Sequence, residues 1–257
     1  MPLEIVTVPC LSDNYAYLLR DEATGTVALV DAPEPGPIVA ALEARGWNLD
    51  LLLITHHHYD HIDGVEPLRE HFGCKVWGAA ADAGRLPPLD RALAPGDTVA
   101  VGETKGSVLD VPGHTVGHIA FHFPGAKAVF TADSLMALGC GRLFEGTALQ
   151  MWTSLAQFLD MDRDTLVCSG HEYTRSNARF ALTVEADNAA LAARAAAVDE
   201  ATAKGVPTVP STLGEELDTN PFLRAHLAPV KAAVGMEGAD DAAVFAEIRR
   251  RKDGFRG

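Results

Sequence analysis

The chain has 257 residues, of which 47% are hydrophobic and 22% charged, a composition typical of a soluble globular protein with one large domain or two unequal ones. The formal net charge of −14 argues against nucleic acid as a partner, because phosphate binding requires a broad basic surface. There is neither a secretory signal nor an apolar run of about 18 residues, so we expect no membrane association and a cytoplasmic location.

Short strands alternate with amphipathic helices over residues 1–171. Apolar runs predict strands at 5–8, 15–20, 27–30, 49–54, 75–77, 98–101, 105–110, 119–123, 128–132 and 165–168. Helices are predicted at 37–45, 65–72 and 149–159. Because these strands are too many for one open sheet, the pattern favours two sheets packed face to face and covered by helices, an α/β fold with four layers in the order αββα.

The strand pattern stops after Arg175. Residues 188–204 and 240–252 have helical periodicity and good helix formers, which predicts a smaller all-α domain at the C-terminal end. We therefore divide the chain into domains at 1–171 and 172–257. The segment 205–221 carries three prolines and is either a flexible linker or an ordered loop, and we favour the ordered loop.

Residues 55–61 read T-H-H-H-Y-D-H and are the richest concentration of metal ligands in the chain. Alternate side chains of an extended chain point the same way, so His56 and His58 are placed to share one ion, while Asp60 and His61 can serve another. The segment Asp63–Glu66 has the spacing of a helix capping box, which places the cluster on a strand-to-helix turn. A histidine-rich loop or an expression tag is the alternative, although tags lack an interleaved carboxylate.

Further ligands follow other predicted strands. His114, Asp133 and His171 each lie just past a strand end, where loops gather to form a site. The four cysteines, Cys10, Cys74, Cys140 and Cys168, are widely spaced and form no C-x-x-C pair, so we expect reduced, mostly buried thiols. His57 is expected to point away from its neighbours.

The motifs T-H-H-H-Y-D-H, G-H-T-V-G-H, T-A-D-S and G-H-E-Y-T resemble those of the metallo-beta-lactamase superfamily. Within it, G-C-G-R-L-F-E-G at 139–146, V-P-S-T-L at 209–213, N-P-F-L-R at 220–224 and the terminal R-R-R-K-D resemble the glyoxalase II, or hydroxyacylglutathione hydrolase, family. The resemblance covers essentially the whole chain. It implies the αββα sandwich with a helical C-terminal domain, and a thioesterase that acts on S-D-lactoylglutathione in methylglyoxal detoxification.

The resemblance also implies a ligand set for two divalent metal ions per chain. His56, His58 and His114 would hold the first ion, Asp60, His61 and His171 the second, and Asp133 would bridge them. Asp60 and Asp133 would then be the catalytic carboxylates, holding the ions with a hydroxide between them. Five imidazoles and two carboxylates are compatible with zinc, which we favour, and with iron or manganese.

The resemblance assigns substrate contacts to Arg142, Phe144, Tyr173, Arg249 and Lys252. On spacing alone, the basic residues at 249–256 are equally well explained as a solvated helix end, where cations favour the helix dipole. Phe144 departs from the family, which often has tyrosine there, and simple packing is the alternative role. We expect a monomer whose partner is a small-molecule glutathione thioester.

Two alternative functions are considered. One is a mononuclear iron persulfide dioxygenase of the same fold, which uses His-His-Asp ligation of one iron, whereas this chain carries all seven ligands. The other is a non-catalytic metal-binding or redox module, since some relatives of this fold bind flavin partners. We rank it last, because no flavodoxin-like extension follows the first domain.

Overall fold

The computed structural model describes residues 2–256, which form two compact units. The first unit comprises the described residues up to Asp110 together with Gly117–Ala132, and the second comprises Val111–Val116 together with the described residues from Asp133 onward. Neither unit coincides with the predicted domains 1–171 and 172–257, which remain a prediction.

The first unit begins with a six-stranded sheet in the strand order β1 to β6. Its first three strands are antiparallel, and the next three follow in parallel. Parallel strands require crossover connections, and helices supply those from the third strand to the fourth and from the fourth strand to the fifth. The strands are β1 Leu3–Cys10, β2 Asn14–Asp21, β3 Val27–Val30, β4 Leu51–Leu53, β5 Lys75–Ala79 and β6 Arg91–Leu93, and the helices are α1 Pro35–Glu43, α2 Tyr59–Ile62 and α3 Val65–Phe72.

Four more strands of the first unit form an antiparallel array in the order β10, β9, β8, β7. Their bounds are β7 Thr98–Val101, β8 Thr104–Asp110, β9 Ile119–Phe123 and β10 Ala128–Ala132.

Strand β2 is buried on both faces, which shows how the layers of this unit pack. Leu18 joins a core cluster with Ile38 of α1 and Leu68 of α3. The preceding residue, Tyr17, points to the opposite face of the sheet. Its ring contacts that of Phe130 of β10 edge to face, with 5.6 Å between the ring centroids. The unit therefore has a helical layer, a first sheet and a second sheet, as expected from the number of strands.

The second unit is mainly helical. Its strands form two short antiparallel pairs, β11 Leu135–Met136 with β12 Gly139–Cys140, and β13 Leu166–Ser169 with β14 Ser211–Thr212. Its helices are α4 Ala148–Ala156, α5 Thr174–Val184, α6 Ala189–Ala203, α7 Leu213–Thr219, α8 Ala228–Ala233 and α9 Asp241–Gly254. Aromatic residues fill its interior, where Phe222 lies between Phe180 and Phe245 at centroid distances of 6.0 Å and 5.7 Å. Burial of each side chain of this size stabilises the fold by about 1.5–3 kcal/mol relative to leaving the side chain exposed.

The predicted capping box at the start of α3 is wrong. The N-cap is Gly64, with no side-chain cap hydrogen bond. Asp63 ends α2 in right-handed helical conformation (φ −61°, ψ −26°), whereas an N-cap side chain acts from extended backbone. The predicted end of α3 is confirmed, because Gly73 adopts φ 68° and its amide donates to the carbonyl of Arg69.

The segment 205–221 is ordered but is not only a loop. It contains β14 and helix α7, which the three prolines obscured. Thr212 and Glu215 form a capping box at the start of α7, with each side chain bonded to the other residue's backbone amide. Helix α4 ends at Ala156, three residues before the predicted end, and the short strands β6, β11, β12 and β14 were not predicted.

All four cysteines are buried thiols. Burial raises the pKa of Cys10 to about 12 and that of Cys140 to about 11, and it also raises the pKa of Cys74 and of Cys168. Among the described residues, every helix is too short or too polar to cross a lipid bilayer.

Candidate functional site

The T-H-H-H-Y-D-H segment runs from the end of β4 into helix α2. His58 is the N-cap of α2 in extended conformation, so the chain turns from strand to helix between His58 and Asp60. The backbone holds this turn on both sides, because the carbonyl of Thr55 accepts from the amide of Ile119 at 3.0 Å and the carbonyl of His61 accepts from the amide of Ala32 at 2.8 Å. Backbone hydrogen bonds to strand β9 and to the loop after β3 therefore hold the segment that carries the donors.

His56 and His58 face each other. Nε2 of His56 lies 3.2 Å from Nδ1 of His58. The other nitrogen of His56, Nδ1, lies 3.0 Å from Oγ1 of Thr55, and its ring stacks on His118 with 4.6 Å between centroids. His56 is fully buried, so these contacts fix its orientation. His57 turns instead to Asp82, with Nδ1 3.1 Å from Oδ2.

Two residues that the sequence analysis did not identify orient Asp60 and His61. Asn14 Nδ2 donates to Asp60 Oδ2 at 3.0 Å, and Asp31 Oδ2 lies 2.8 Å from Nδ1 of His61. With Nδ1 engaged, His61 presents Nε2 to Asp60 Oδ2 at 3.9 Å. Carboxylate partners of this kind fix the tautomer of metal-binding histidines. Ligand atoms of Asp31, His56 and His61 lie within 4.8 Å of one another.

The second unit brings together the other three predicted ligands. Asp133 directly follows β10, and its Oδ2 lies 3.3 Å from Nε2 of His114 and 3.4 Å from Nε2 of His171. Nδ1 of His114 lies 2.8 Å from the carbonyl oxygen of Arg142. A carbonyl only accepts, so His114 donates from Nδ1 and its Nε2 is left to face the carboxylate. All three side chains are buried.

Both donor sets fit a divalent metal. Two ligand atoms at about 2.0–2.1 Å from a tetrahedral zinc lie about 3.3 Å apart. The separations of 3.2 Å, 3.3 Å and 3.4 Å for His56–His58, His114–Asp133 and His171–Asp133 match this value. Buried nitrogens and oxygens at this spacing favour a metal, since burial of polar groups otherwise carries a cost.

Two aromatic residues named as substrate contacts lie beside the ligands of the second unit. The ring of Phe144 meets His114 edge to face at 5.3 Å between centroids, yet Phe144 is 61% exposed. Tyr173 stacks on His171 at 4.7 Å and is 40% exposed. The exposure of Phe144 argues against simple packing as its role.

The three candidate cationic contacts share surroundings but differ in burial. Arg249 is only 6% exposed, and it donates to the carbonyl of Cys140 at 3.1 Å and pairs with Asp253 at 2.8 Å. Arg142 is exposed, with Nε 3.7 Å from the same carboxylate oxygen of Asp253. Lys252 donates to the carbonyl of Ser176 at 3.2 Å. Burial, and next the nearby Arg249, lower the pKa of Lys252 to about 8.

Asp253 was also missed as a site residue. It stands in the terminal R-R-R-K-D motif, and the spacing of Arg249 to Asp253 is the i, i+4 spacing of a helical ion pair, which was the available signal. Asn14 and Asp31 carried no comparable signal, because their partners lie 46 and 30 residues away in sequence.

Two family models match the chain. One, described as the metallo-beta-lactamase superfamily, matches residues 12–171, and the other, described as the hydroxyacylglutathione hydrolase C-terminus, matches residues 172–255. A hydroxyacylglutathione hydrolase of Ruegeria pomeroyi is 64% identical over 255 residues, covering 99% of this chain and all of the relative.

Solved structures share the fold. The B3 metallo-beta-lactamase BLEG-1 aligns with a TM-score of 0.66 at 20% identity, covering 86% of this chain and 99% of that one. ETHE1 from Myxococcus xanthus aligns with a TM-score of 0.66 at 26% identity, covering 97% of this chain and 90% of that one. The predicted fold class, an αββα metallo-beta-lactamase-like sandwich with a helical C-terminal part, is confirmed.

The fold and the two clusters of histidine and aspartate first define a class of metal-dependent hydrolases, and the chain belongs to the metallo-beta-lactamase superfamily. Within that superfamily it belongs to the hydroxyacylglutathione hydrolase family, as the full-length identity to curated members shows.

Proposed function

We propose that the protein is a thioesterase that hydrolyses S-D-lactoylglutathione to D-lactate and glutathione, the second step of methylglyoxal detoxification. The observation that carries the proposal is the full-length 64% identity to a hydroxyacylglutathione hydrolase, in a chain whose histidines and aspartates form groups that could hold a metal ion. The alternative, an iron persulfide dioxygenase of the same fold, has less support, because full-length relatives that are 52–64% identical to the chain are named hydroxyacylglutathione hydrolases.

Following the family resemblance, we assign two divalent ions per chain, with zinc favoured and iron or manganese compatible. His56, His58 and His114 are assigned to one ion, Asp60, His61 and His171 to the other, and Asp133 to both. The chemistry that such ions supply is a water of lowered pKa and polarisation of the thioester carbonyl. The donor spacings within each unit and the orienting contacts of His61 and His114 support this assignment.

The protein's own residues orient the assigned metal ligands and contact the substrate. Asp31 and the Arg142 carbonyl hold the rings of His61 and His114, and Asp60 is held by Asn14. The exposed rings of Phe144 and Tyr173 offer apolar contact to the glutathione arm. Because the leaving thiolate has a parent pKa of about 8.5, it departs without a dedicated general acid. Ser134 is fully buried, which argues against a serine nucleophile at this position.

A cytoplasmic location and a monomeric state belong to the same proposal. The four buried thiols suit a reducing compartment.

The test is an assay of S-D-lactoylglutathione hydrolysis, followed by loss of thioester absorbance, with metal analysis of the same preparation. We expect turnover by metal-loaded protein without added flavin, and no turnover after chelation. Oxygen uptake with glutathione persulfide, in protein that leaves the thioester intact, would replace this proposal with the dioxygenase.

A further inference from the structure

The hairpin of β11 and β12 has an unusual tip. Only two residue pairs form its ladder, Leu135 with Cys140 and Met136 with Gly139. At the tip, Leu138 adopts φ 56°, a left-handed conformation that branched residues seldom take. Leu138 is fully buried in a cluster formed with α5 and α6. Tertiary contacts therefore hold this hairpin in place.

Side chains from the helical part satisfy the backbone groups that the short ladder leaves open. Nδ2 of Asn220 donates to the carbonyls of Met136 and Gly139 at 3.1 Å and 3.0 Å. Nδ2 of Asn177 donates to the carbonyl of Ala137 at 3.0 Å, and Oε2 of Glu216 accepts from the amide of Leu138 at 2.8 Å. We call Asn177, Glu216 and Asn220 the hairpin clamp.

The clamp is itself rigid. Asn220 and Glu216 are fully buried and Asn177 is 6% exposed. Oε2 of Glu216 also lies 3.0 Å from Nδ2 of Asn220, so the two hydrogens of that amide are shared among three acceptors. Oε1 of Glu216 accepts from Ser211 Oγ at 2.6 Å and from Arg194. A buried network whose members are all satisfied holds its groups in one arrangement.

The residues that follow the hairpin reach the metal ligands at once. The Gly141 amide donates to the Ser134 carbonyl at 3.3 Å, and a Cβ added to Gly141 would lie 2.0 Å from the carbonyl oxygen of Asp133 and 2.9 Å from Nδ1 of His114. The carbonyl of Arg142 then accepts from Nδ1 of His114 at 2.8 Å. A shift of the hairpin would therefore move the group that fixes the His114 ring.

We propose that Asn220 and Asn177 are positioning residues, which hold the β11–β12 hairpin so that the Arg142 carbonyl sets the tautomer and orientation of His114 for metal binding. The inference rests on the proposed metal-dependent function but concerns residues outside the ligand set. Loss of an orienting partner of a ligating histidine typically weakens metal binding about 10- to 100-fold.

The experiment compares Asn220→Ala and Asn177→Ala with Asn188→Ala. Asn188, at the start of α6, is the control, because its side chain also donates to a backbone carbonyl, that of Asp218 at 2.9 Å. It accepts from the amide of Leu191 at 3.1 Å, as Asn220 accepts from the amide of Phe222 at 3.0 Å. Three measurements are made on each full-length protein: the melting temperature, zinc affinity by chelator competition, and the Nδ1–H signal of His114 by NMR of ¹⁵N-histidine-labelled protein.

We expect both clamp variants to bind zinc at least about tenfold more weakly and to lose or broaden the His114 Nδ1–H signal. Asn188→Ala should lower the melting temperature and leave both readouts as in the unchanged protein. If the clamp variants keep zinc affinity and the signal at the level of Asn188→Ala, the clamp only stabilises the fold. If one clamp variant cannot be isolated in folded form, the other decides between the two roles by the same two readouts.

The zinc and NMR readouts do not depend on the substrate. If the unchanged protein fails to hydrolyse the thioester but the clamp variants show the expected losses, the proposed function is refuted and the positioning role stands. If the unchanged protein hydrolyses the thioester and both clamp variants keep its zinc affinity, the proposed function stands and the positioning role is refuted.

Discussion

Oδ2 of Asp31 lies 2.8 Å from Nδ1 of His61, deep in the interior of the first unit. The same carboxylate accepts from the hydroxyl and the amide of Thr55, so three donors converge on it. An asparagine at this position would tolerate the observed φ of 57° but would turn an NH₂ group toward at least one of these donors.

Asp31→Asn is therefore expected to weaken metal binding about 10- to 100-fold, because His61 loses its orienting partner. Chelator competition measures the effect. Asp50→Asn is the control, since Asp50 also accepts from a backbone amide of this sheet, that of Val27 at 2.8 Å. Equal affinities in the two variants would show that Asp31 serves the fold alone.

Asp133 contacts both histidine ligands of its unit, and its replacement should affect the whole centre. We expect about two metals per chain in the unchanged protein, and we expect Asp133→Ala to lose both tight metal occupancy and thioesterase activity. Elemental analysis beside the activity assay checks this, with the exposed Asp187→Ala as control. One tightly bound metal in a fully active enzyme would overturn the binuclear assignment.

Lys252 is expected to make substrate binding depend on pH. Its pKa is lowered to about 8, so the ammonium group is present below that pH and is lost as the pH rises through it. Attraction to a glutathione carboxylate is lost with the charge. KM should therefore rise about two- to fivefold between pH 7 and pH 9, the change expected from loss of one partly exposed ion pair. Steady-state kinetics, corrected for spontaneous hydrolysis, measure the change.

Lys252→Arg is the control for that profile, because arginine stays charged and should flatten the rise in KM. Lys252→Ala should raise KM at pH 7 far more than it lowers kcat, and should leave the remaining activity less sensitive to salt. An unchanged KM in Lys252→Ala would favour the alternative in which the basic residues only terminate α9. Arg249 is less suitable for this test, since its burial means that its removal also destabilises the protein.

Phe144→Tyr is expected to tighten binding of glutathione thioesters. The ring is 61% exposed beside His114, so an added hydroxyl is free to reach a ligand without repacking. One ordinary hydrogen bond contributes about 0.5–1.5 kcal/mol, up to about tenfold in KM, with kcat unchanged. Phe144→Leu, which cannot donate, is the control. A level or increased KM in Phe144→Tyr would mean that glutathione lies elsewhere.

Local sequence patterns predicted the strands with continuous apolar runs. Val27–Val30, Thr98–Val101, Ile119–Phe123 and Ala128–Ala132 have the predicted bounds. Three of them are buried over most of their length, and Thr98–Val101 alternates buried valines with more exposed residues. The two-residue strands β11 and β12 offered no periodicity to detect. Tertiary contacts, rather than local propensity, form that hairpin.

The ligand candidates were likewise found from local motifs, whereas their supports were not. Asp31, Asn14 and Asn220 act on residues 30, 46 and 84 positions away, so no spacing in the sequence connects each pair. At Asp63 a local motif was misleading instead. The sequence has the spacing of a capping box there, but Asp63 is the C-cap of α2 and so cannot be the N-cap of α3.

The buried thiols have a consequence for an enzyme that releases glutathione at every turnover. Exchange between a protein cysteine and oxidised glutathione requires an accessible thiolate. Burial raises the pKa of all four thiols, that of Cys140 to about 11, so the thiolate fraction at neutral pH is negligible. The protein should therefore stay free of glutathione adducts even when its product has been oxidised to the disulfide, and its activity should not follow the redox state of the glutathione pool.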